Sequence, residues 1–218
     1  MRILMLFLLL ALNASAQDPY KNIYSAHAWK ERDTWQKPDE LIRLLKIKEG
    51  SQAADVGCHE GYMTFKLSKI VGKAGKVYAV DVEDSKVKKV ESLAAESKIE
   101  NIAAIKGDYD NPKLPMNSLD AVIILDTYHE MDDHDAILQH ILKALKPGGR
   151  LLLCEPIAEA RRKSTRSEQE KRHELGMSFA LEDLKKAGFK ITFQKDPYVD
   201  RTKEKGDKMW VVVAEKHQ

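Results

Sequence analysis

Ala53-Ala-Asp55-Val-Gly57-Cys-His59-Glu-Gly61-Tyr-Met-Thr-Phe-Lys-Leu67 is the stretch on which the fold turns. Its start reads as a buried strand over 52–56. Its end reads as a helix over 60–71, stopped by Gly72. The turn between them carries Gly57 and Gly61, which can take positive φ and present no Cβ to an approaching ligand. The free N–H groups of the first helical turn are expected to face the same space. A nicotinamide-binding fingerprint needs glycines where this chain has His59 and Tyr62, so that chemistry is excluded here.

Working outward, strands and helices alternate. Strands are expected at 76–81, 101–107, 119–126 and 150–155, with helices over 85–97 and 133–145. Uninterrupted apolar runs such as Ala121-Val-Ile-Ile-Leu125 suit a parallel sheet covered on both faces. Lys146-Pro-Gly-Gly149 reads as the turn into the fifth strand. Upstream, Pro38 with Asp39 and Glu40 starts a short helix that buries Leu41, Leu44 and Leu45. A helix over 178–187 precedes two last strands, 189–198 and 209–214. Their short charged link (200–207) cannot make a parallel crossover, so the final strand is antiparallel. The expected fold is α/β and doubly wound: a Rossmann-like, mostly parallel seven-stranded sheet with an antiparallel C-terminal strand.

The chain of 218 residues is 43% hydrophobic and 32% charged, which suits one domain with a sizeable core. Lys and Arg number 36 against 34 for Asp and Glu, so no basic field recruits nucleic acid. The local run Arg161-Arg-Lys163, with Arg166, reads as a solvated helix face. Residues 1–16 read as a cleaved export signal. A basic start and an apolar run over 3–12 lead to Ala14-Ser-Ala16, and the run is about half the roughly 20 residues a bilayer span needs. The expected chain is therefore periplasmic or secreted, without a stable membrane anchor. An N-terminal arm or lid spans 17–37 and the main domain 38–218. Cys58 and Cys154 fall on strands separated by a third, too far apart for a disulfide, and are expected as free thiols.

In a doubly wound sheet the ligand sits at the carboxyl ends of the strands, where the order reverses. Four acids end successive strands there: Asp81, Asp108, Asp126 and Glu155. Asp81, 20 positions beyond Gly61, can accept both hydroxyls of a ribose. Asp108 can accept from an exocyclic amine, with Tyr109 flanking the ring. So acidic an edge repels polyphosphate and suits a nucleoside that carries positive charge.

From about residue 41 onward the chain resembles the class I S-adenosylmethionine-dependent methyltransferases. The matching pieces come in that family's order. They are Ala54-Asp55-Val-Gly57 with Gly61, Val80-Asp81-Val82, Gly107-Asp108-Tyr109, Leu119 to Asp126, and Leu145-Lys-Pro-Gly-Gly-Arg-Leu151. The resemblance implies S-adenosylmethionine as cofactor. Asp55, Gly57, His59 and Gly61 would line its methionine side. Asp81 and Val82 would hold the ribose, Asp108 and Tyr109 the adenine, and Asp126 would stand near the sulfonium and the acceptor. It further implies methyl transfer to a small-molecule acceptor. The alternative is a non-catalytic, envelope-located binding protein of the same fold, because a side chain at position 59 can crowd the cofactor.

His129, in Asp126-Thr-Tyr-His-Glu130, is the candidate general base, with Tyr128 and Glu130 as second choices. Asp126, His129, Glu130, Asp132, Asp133 and His134 are rich in ligand types, but their spacing is unspecific, and no metal is expected. His134, His140 and His173 read as structural or solvated. Two covers are expected over the acceptor: the arm with Tyr24, His27, Trp29, Arg32 and Trp35, and the segment 157–176 with Arg161, Arg166 and His173.

Overall fold

A computed structural model describes residues 18–20, 23–24 and 29–217. The export signal and His27 lie outside the described residues. Seven strands form one sheet: β1 (Gln52–Val56), β2 (Lys76–Asp81), β3 (Ile102–Lys106), β4 (Leu119–Leu125), β5 (Leu145–Ile157), β6 (Lys190–Arg201) and β7 (Asp207–Glu215). Their order is β3-β2-β1-β4-β5-β7-β6. The first five are mutually parallel, and β7 runs antiparallel to both β5 and β6. The expected architecture is therefore the observed one. The order reverses between β1 and β4, which sets the binding edge at their carboxyl ends.

Burial explains the apolar runs of the central strands. On β5, Leu152 and Cys154 face one core with Leu41, Phe65 and Ile123, while Leu151 and Leu153 face the other with Ile124, Leu138 and Trp210. Alternate residues serve opposite layers, so the middle of the strand, Leu151–Cys154, is apolar on both faces. Each fully buried Leu or Ile contributes about 1.5–3 kcal/mol relative to exposure. Helices α3 (Tyr62–Val71) and α4 (Asp84–Glu96) pack on β1, β2 and β3. Helices α5 (His134–Ala144) and α7 (Met177–Lys186) cover the other face, against β5, β6 and β7. Both cysteines are buried free thiols, as expected.

Within the arm, whose sequence has no clear apolar periodicity, residues Trp29–Gln36 form helix α1, followed directly by α2 (Pro38–Leu45). Trp29 is buried with its ring 5.9 Å from both Tyr62 and Phe65, so an aromatic contact rather than a helical stripe fixes α1. Lys146-Pro-Gly-Gly149 is not a turn outside the sheet. It is the irregular start of β5, where pairing with β4 shifts register and Gly148 and Gly149 exchange hydrogen bonds with Lys216. The basic run at 161–166 is no solvated face either: Arg161 pairs with Glu174, Arg162 with Asp196 and Arg166 with Asp183. These pairs order the segment between β5 and α7, which includes the short helix α6 (Arg166–Glu170) with a Thr165–Glu168 capping box. No helix among the described residues is long and apolar enough to cross a membrane.

Candidate active site

The turn after β1 is built for close packing. Gly57 has φ +78°, and a Cβ there would lie 2.2 Å from Cγ2 of Thr127, in the loop after β4. The N–H groups of Gly57 and Cys58 both donate to Val80 O, at 2.8 and 2.9 Å. His59 N–H donates to the Asp81 carboxylate at 2.9 Å. These amides hold the turn to β2. Gly61 is also a packing glycine. Its φ is +93°, a Cβ would meet the Phe65 ring at 2.8 Å, and it lines neither adjoining cavity.

Two cavities meet at this turn. One, of about 500 Å³, is walled by Gly57, His59, Asp81, Val82, Asp108, Tyr109 and Asp126. The other, of about 480 Å³, takes in Asp55, Gly57, His59 and Asp126 with Trp29 and Arg32 of α1. Gly57, His59, Asp126 and Thr127 belong to both. His59 is exposed in the left-handed region at φ 47° and forms part of the shared wall. Both cavities are open with this side chain in place.

The acids at the edge differ in state. Asp81 accepts from the N–H of His59 and of Glu83, one on each oxygen, and no ion pair among the described residues holds it. Each oxygen keeps acceptor capacity for a ribose hydroxyl. Asp108 pairs with Lys113 at 2.7 Å, and Tyr109 is 72% exposed beside it. Asp126, at φ 57°, accepts from Arg201 at 2.5 Å, and the same buried guanidinium holds Asp207. Asp55 is buried and accepts from the Thr64 hydroxyl at 2.7 Å. Its burial pushes the carboxyl up to about 6, against the pull of the Thr64 bonds and of Arg32.

Glu155 corrects the expectation of four acids lining the edge. It is fully buried beneath the loop after β4. One oxygen accepts from the N–H of Thr127 and Tyr128 at 2.7 and 2.9 Å. The other lies 2.5 Å from His129 Nδ1. His129 is thus buried and oriented with Nε2 outward, 3.2 Å from Glu130. Burial alone would lower the His129 pKa, but the hydrogen bond and charge of Glu155, with Asp126 and Glu130 behind them, raise it above the ordinary value. Tyr128 is removed as a candidate, since its hydroxyl donates to Asp183 from a fully buried ring.

Of the six residues rich in ligand types, only His129 and Glu130 belong to a cluster able to grip an ion. Asp133 caps α5 by accepting from Ala136 N–H, and His134 bonds Tyr128 O. The third member is His173, whose Nδ1 lies 2.5 Å from Glu130. A further cavity of about 440 Å³ joins Asp126, His129, Arg161, His173 and Arg201. From the expected cover, Arg161 and His173 reach it, while Arg166 instead ties α6 to α7. Sequence reasoning missed Arg201 as the partner of Asp126. The signal available was an arginine and an aspartate flanking a five-residue link, α8 (Thr202–Lys205) with Gly206, in a hairpin.

A family model described as a methyltransferase domain matches residues 47–209. A demethylmenaquinone methyltransferase of Staphylococcus saprophyticus is 29% identical over 136 residues, which cover 62% of this chain and 57% of that protein. A ubiquinone/menaquinone biosynthesis C-methyltransferase of Pseudomonas putida is 30% identical over 115 residues, 52% of this chain and 45% of its own length. The chain thus spans about half the length of these curated relatives. Among solved structures, a SAM-dependent methyltransferase from Aquifex aeolicus superposes with TM-score 0.69 at 24% identity, covering 82% of this chain and 89% of that one. The [4+2]-cyclase SpnF reaches 0.71 at 18% identity, covering 84% and 81%, and shows the same fold. With the strand order, the motif order and the matched family model in agreement, the chain belongs to the class I S-adenosylmethionine-dependent methyltransferases.

Proposed function

We propose that the chain transfers a methyl group from S-adenosylmethionine to a small-molecule acceptor bound between Asp126, His129 and the β6–β7 hairpin. One observation carries this reading: the two cavities that meet at Gly57, His59, Asp126 and Thr127 give one groove with room at both ends of a nucleoside–amino-acid ligand. The residues present fit that cofactor. Asp81 has free acceptor capacity for a ribose, and Asp108 and Tyr109 border the cavity where a base would lie. Asp55 and Arg32 offer opposite charges to an amino-acid end. The cofactor supplies an electrophilic methyl group on a sulfonium.

The chain's own work is alignment and exclusion of water. Arg201 fixes Asp126 at the shared wall, and Glu155 fixes His129 with Nε2 toward the acceptor side. From there His129 can take a proton from an acceptor hydroxyl. An aromatic ring bearing a hydroxyl is the first acceptor class to test. Loss of that proton makes the neighbouring ring carbon a nucleophile, and the two curated relatives are named for work on quinones.

Calorimetric titration of the purified chain with S-adenosylmethionine is the direct test. Saturable binding that weakens in Asp81→Ala is expected. Absence of binding at millimolar cofactor would overturn the proposal and leave a binding protein with this fold.

A further inference from the structure

The contact between His129 and Glu130 is unusual in its polarity. Glu155 can only accept, so in the neutral ring Nδ1 carries the hydrogen and donates to it. Nε2 then presents a lone pair to a carboxylate oxygen 3.2 Å away. Two acceptors facing each other repel unless something positive lies between them. Against the same oxygen stands a third donor atom, His173 Nδ1, at 2.5 Å. All three ligand atoms lie within 4.8 Å of one another.

We propose that His129, Glu130 and His173 form a binding site for one divalent transition-metal ion of the zinc type. Two imidazoles and a carboxylate are the donor set such ions prefer, and three protein ligands leave a fourth position open. Ligands at about 2.0–2.1 Å in a tetrahedron stand about 3.3 Å apart. The His129–Glu130 separation already matches that spacing. The His173–Glu130 pair must open by less than about 1 Å to match it, and both side chains are more than half exposed and free to turn.

The Glu155–His129 pair supplies what metal-bound histidines ordinarily have, a carboxylate on the ring's other nitrogen that fixes tautomer and direction. His173 adopts φ 57°, an uncommon conformation for this residue type, in the segment that carries it to Glu130. Nearby cations do not dominate the site. Arg161 is paired with Glu174, and Arg201 with Asp126 and Asp207, leaving Arg172 and Lys205 on the same cavity wall.

The simplest rival occupant is a proton on Nε2, which would satisfy His129 and Glu130 alone. An ion recruits His173 as well. Metal occupancy and a free base exclude each other at Nε2, so with an ion bound an acceptor hydroxyl would be acidified by coordination and not deprotonated by the ring. The site itself stands whether or not the chain transfers methyl groups.

The test uses untagged, metal-stripped full chain titrated with Co²⁺, followed by visible absorption and then by displacement with Zn²⁺. Expected are one equivalent of Co²⁺ per chain and the intense d–d bands of a four- or five-coordinate site, bleached by Zn²⁺. His173→Ala, a change at an exposed side chain, should weaken binding roughly tenfold or more. Glu130→Gln should act likewise, and His140→Ala, outside the cluster, should change nothing. If the wild type binds Co²⁺ no more tightly than His173→Ala, or shows only the weak bands of a hexa-aqua-like ion, the site holds a proton and the proposal is wrong.

Discussion

The two halves of the groove are made in different ways. On the proposed cofactor side, Gly57 follows directly on β1, Asp81 ends β2 and Asp108 lies two residues past β3, so local backbone geometry places them. On the proposed acceptor side, His129, Glu155, His173 and Arg201 come from four separate segments, and side-chain pairing places them. The first half is held by amides: Gly57, Cys58 and His59 donate to the end of β2. The second is held by ion pairs around buried groups. A half made by backbone should tolerate side-chain change in its stability and lose ligand. A half made by ion pairs should lose stability first.

The largest effect is expected at Arg201. Arg201→Met leaves Asp126 and Asp207 without their shared cation in a largely buried setting, at a cost of about 3–5 kcal/mol, measurable by urea unfolding. Arg201→Met that unfolds like the wild type would erase the distinction between the halves.

Asp55 comes next, through pH. Its folded-state pKa, about 6, lies above its ordinary value of 3.8, so the native chain binds more protons between those values. Stability therefore falls as pH rises from about 4 to about 6, and the deficit persists above. Asp55→Asn removes that charge but loses one acceptor oxygen at Thr64. At pH 7 it should gain on the order of 2 kcal/mol over the wild type, a gain that disappears at pH 4 and below. Thermal unfolding of both proteins across that range checks the sign, and a constant difference would refute it.

Asp81→Ala should leave folding nearly intact and weaken S-adenosylmethionine by about 2 kcal/mol, roughly 30-fold, in calorimetry. The mildest change is Lys113→Ala. It breaks the exposed pair with Asp108, and its effect on stability should stay below about 0.5 kcal/mol.

This contrast also explains what the sequence revealed. Strand runs such as Ala121–Leu125 are apolar because both faces are buried, so a parallel sheet covered on both sides could be read from the apolar runs. Asp81 and Asp108 were legible because a chain position next to a strand end is a spatial position too. Glu155 misled for the same reason: it lies near the carboxyl end of β5, yet it turns beneath the loop and accepts two of its N–H groups. His173 and Arg201 sit 43 and 75 positions from the partners they meet, Glu130 and Asp126, and only the folded hairpin and covering segment bring them in. Trp29 was visible as an aromatic residue, but its seat on Tyr62 and Phe65 depends on α1, which carries no apolar stripe.

The carboxylate of Glu155 belongs to the sheet but governs a loop. Because His129 hangs from β5, one end of its ring is set from inside the sheet, while His173 of the segment 158–176 packs beside it with ring centroids 6.0 Å apart. An acid sequestered in the core thereby reaches a surface loop, so a substitution at position 155 would register at His129.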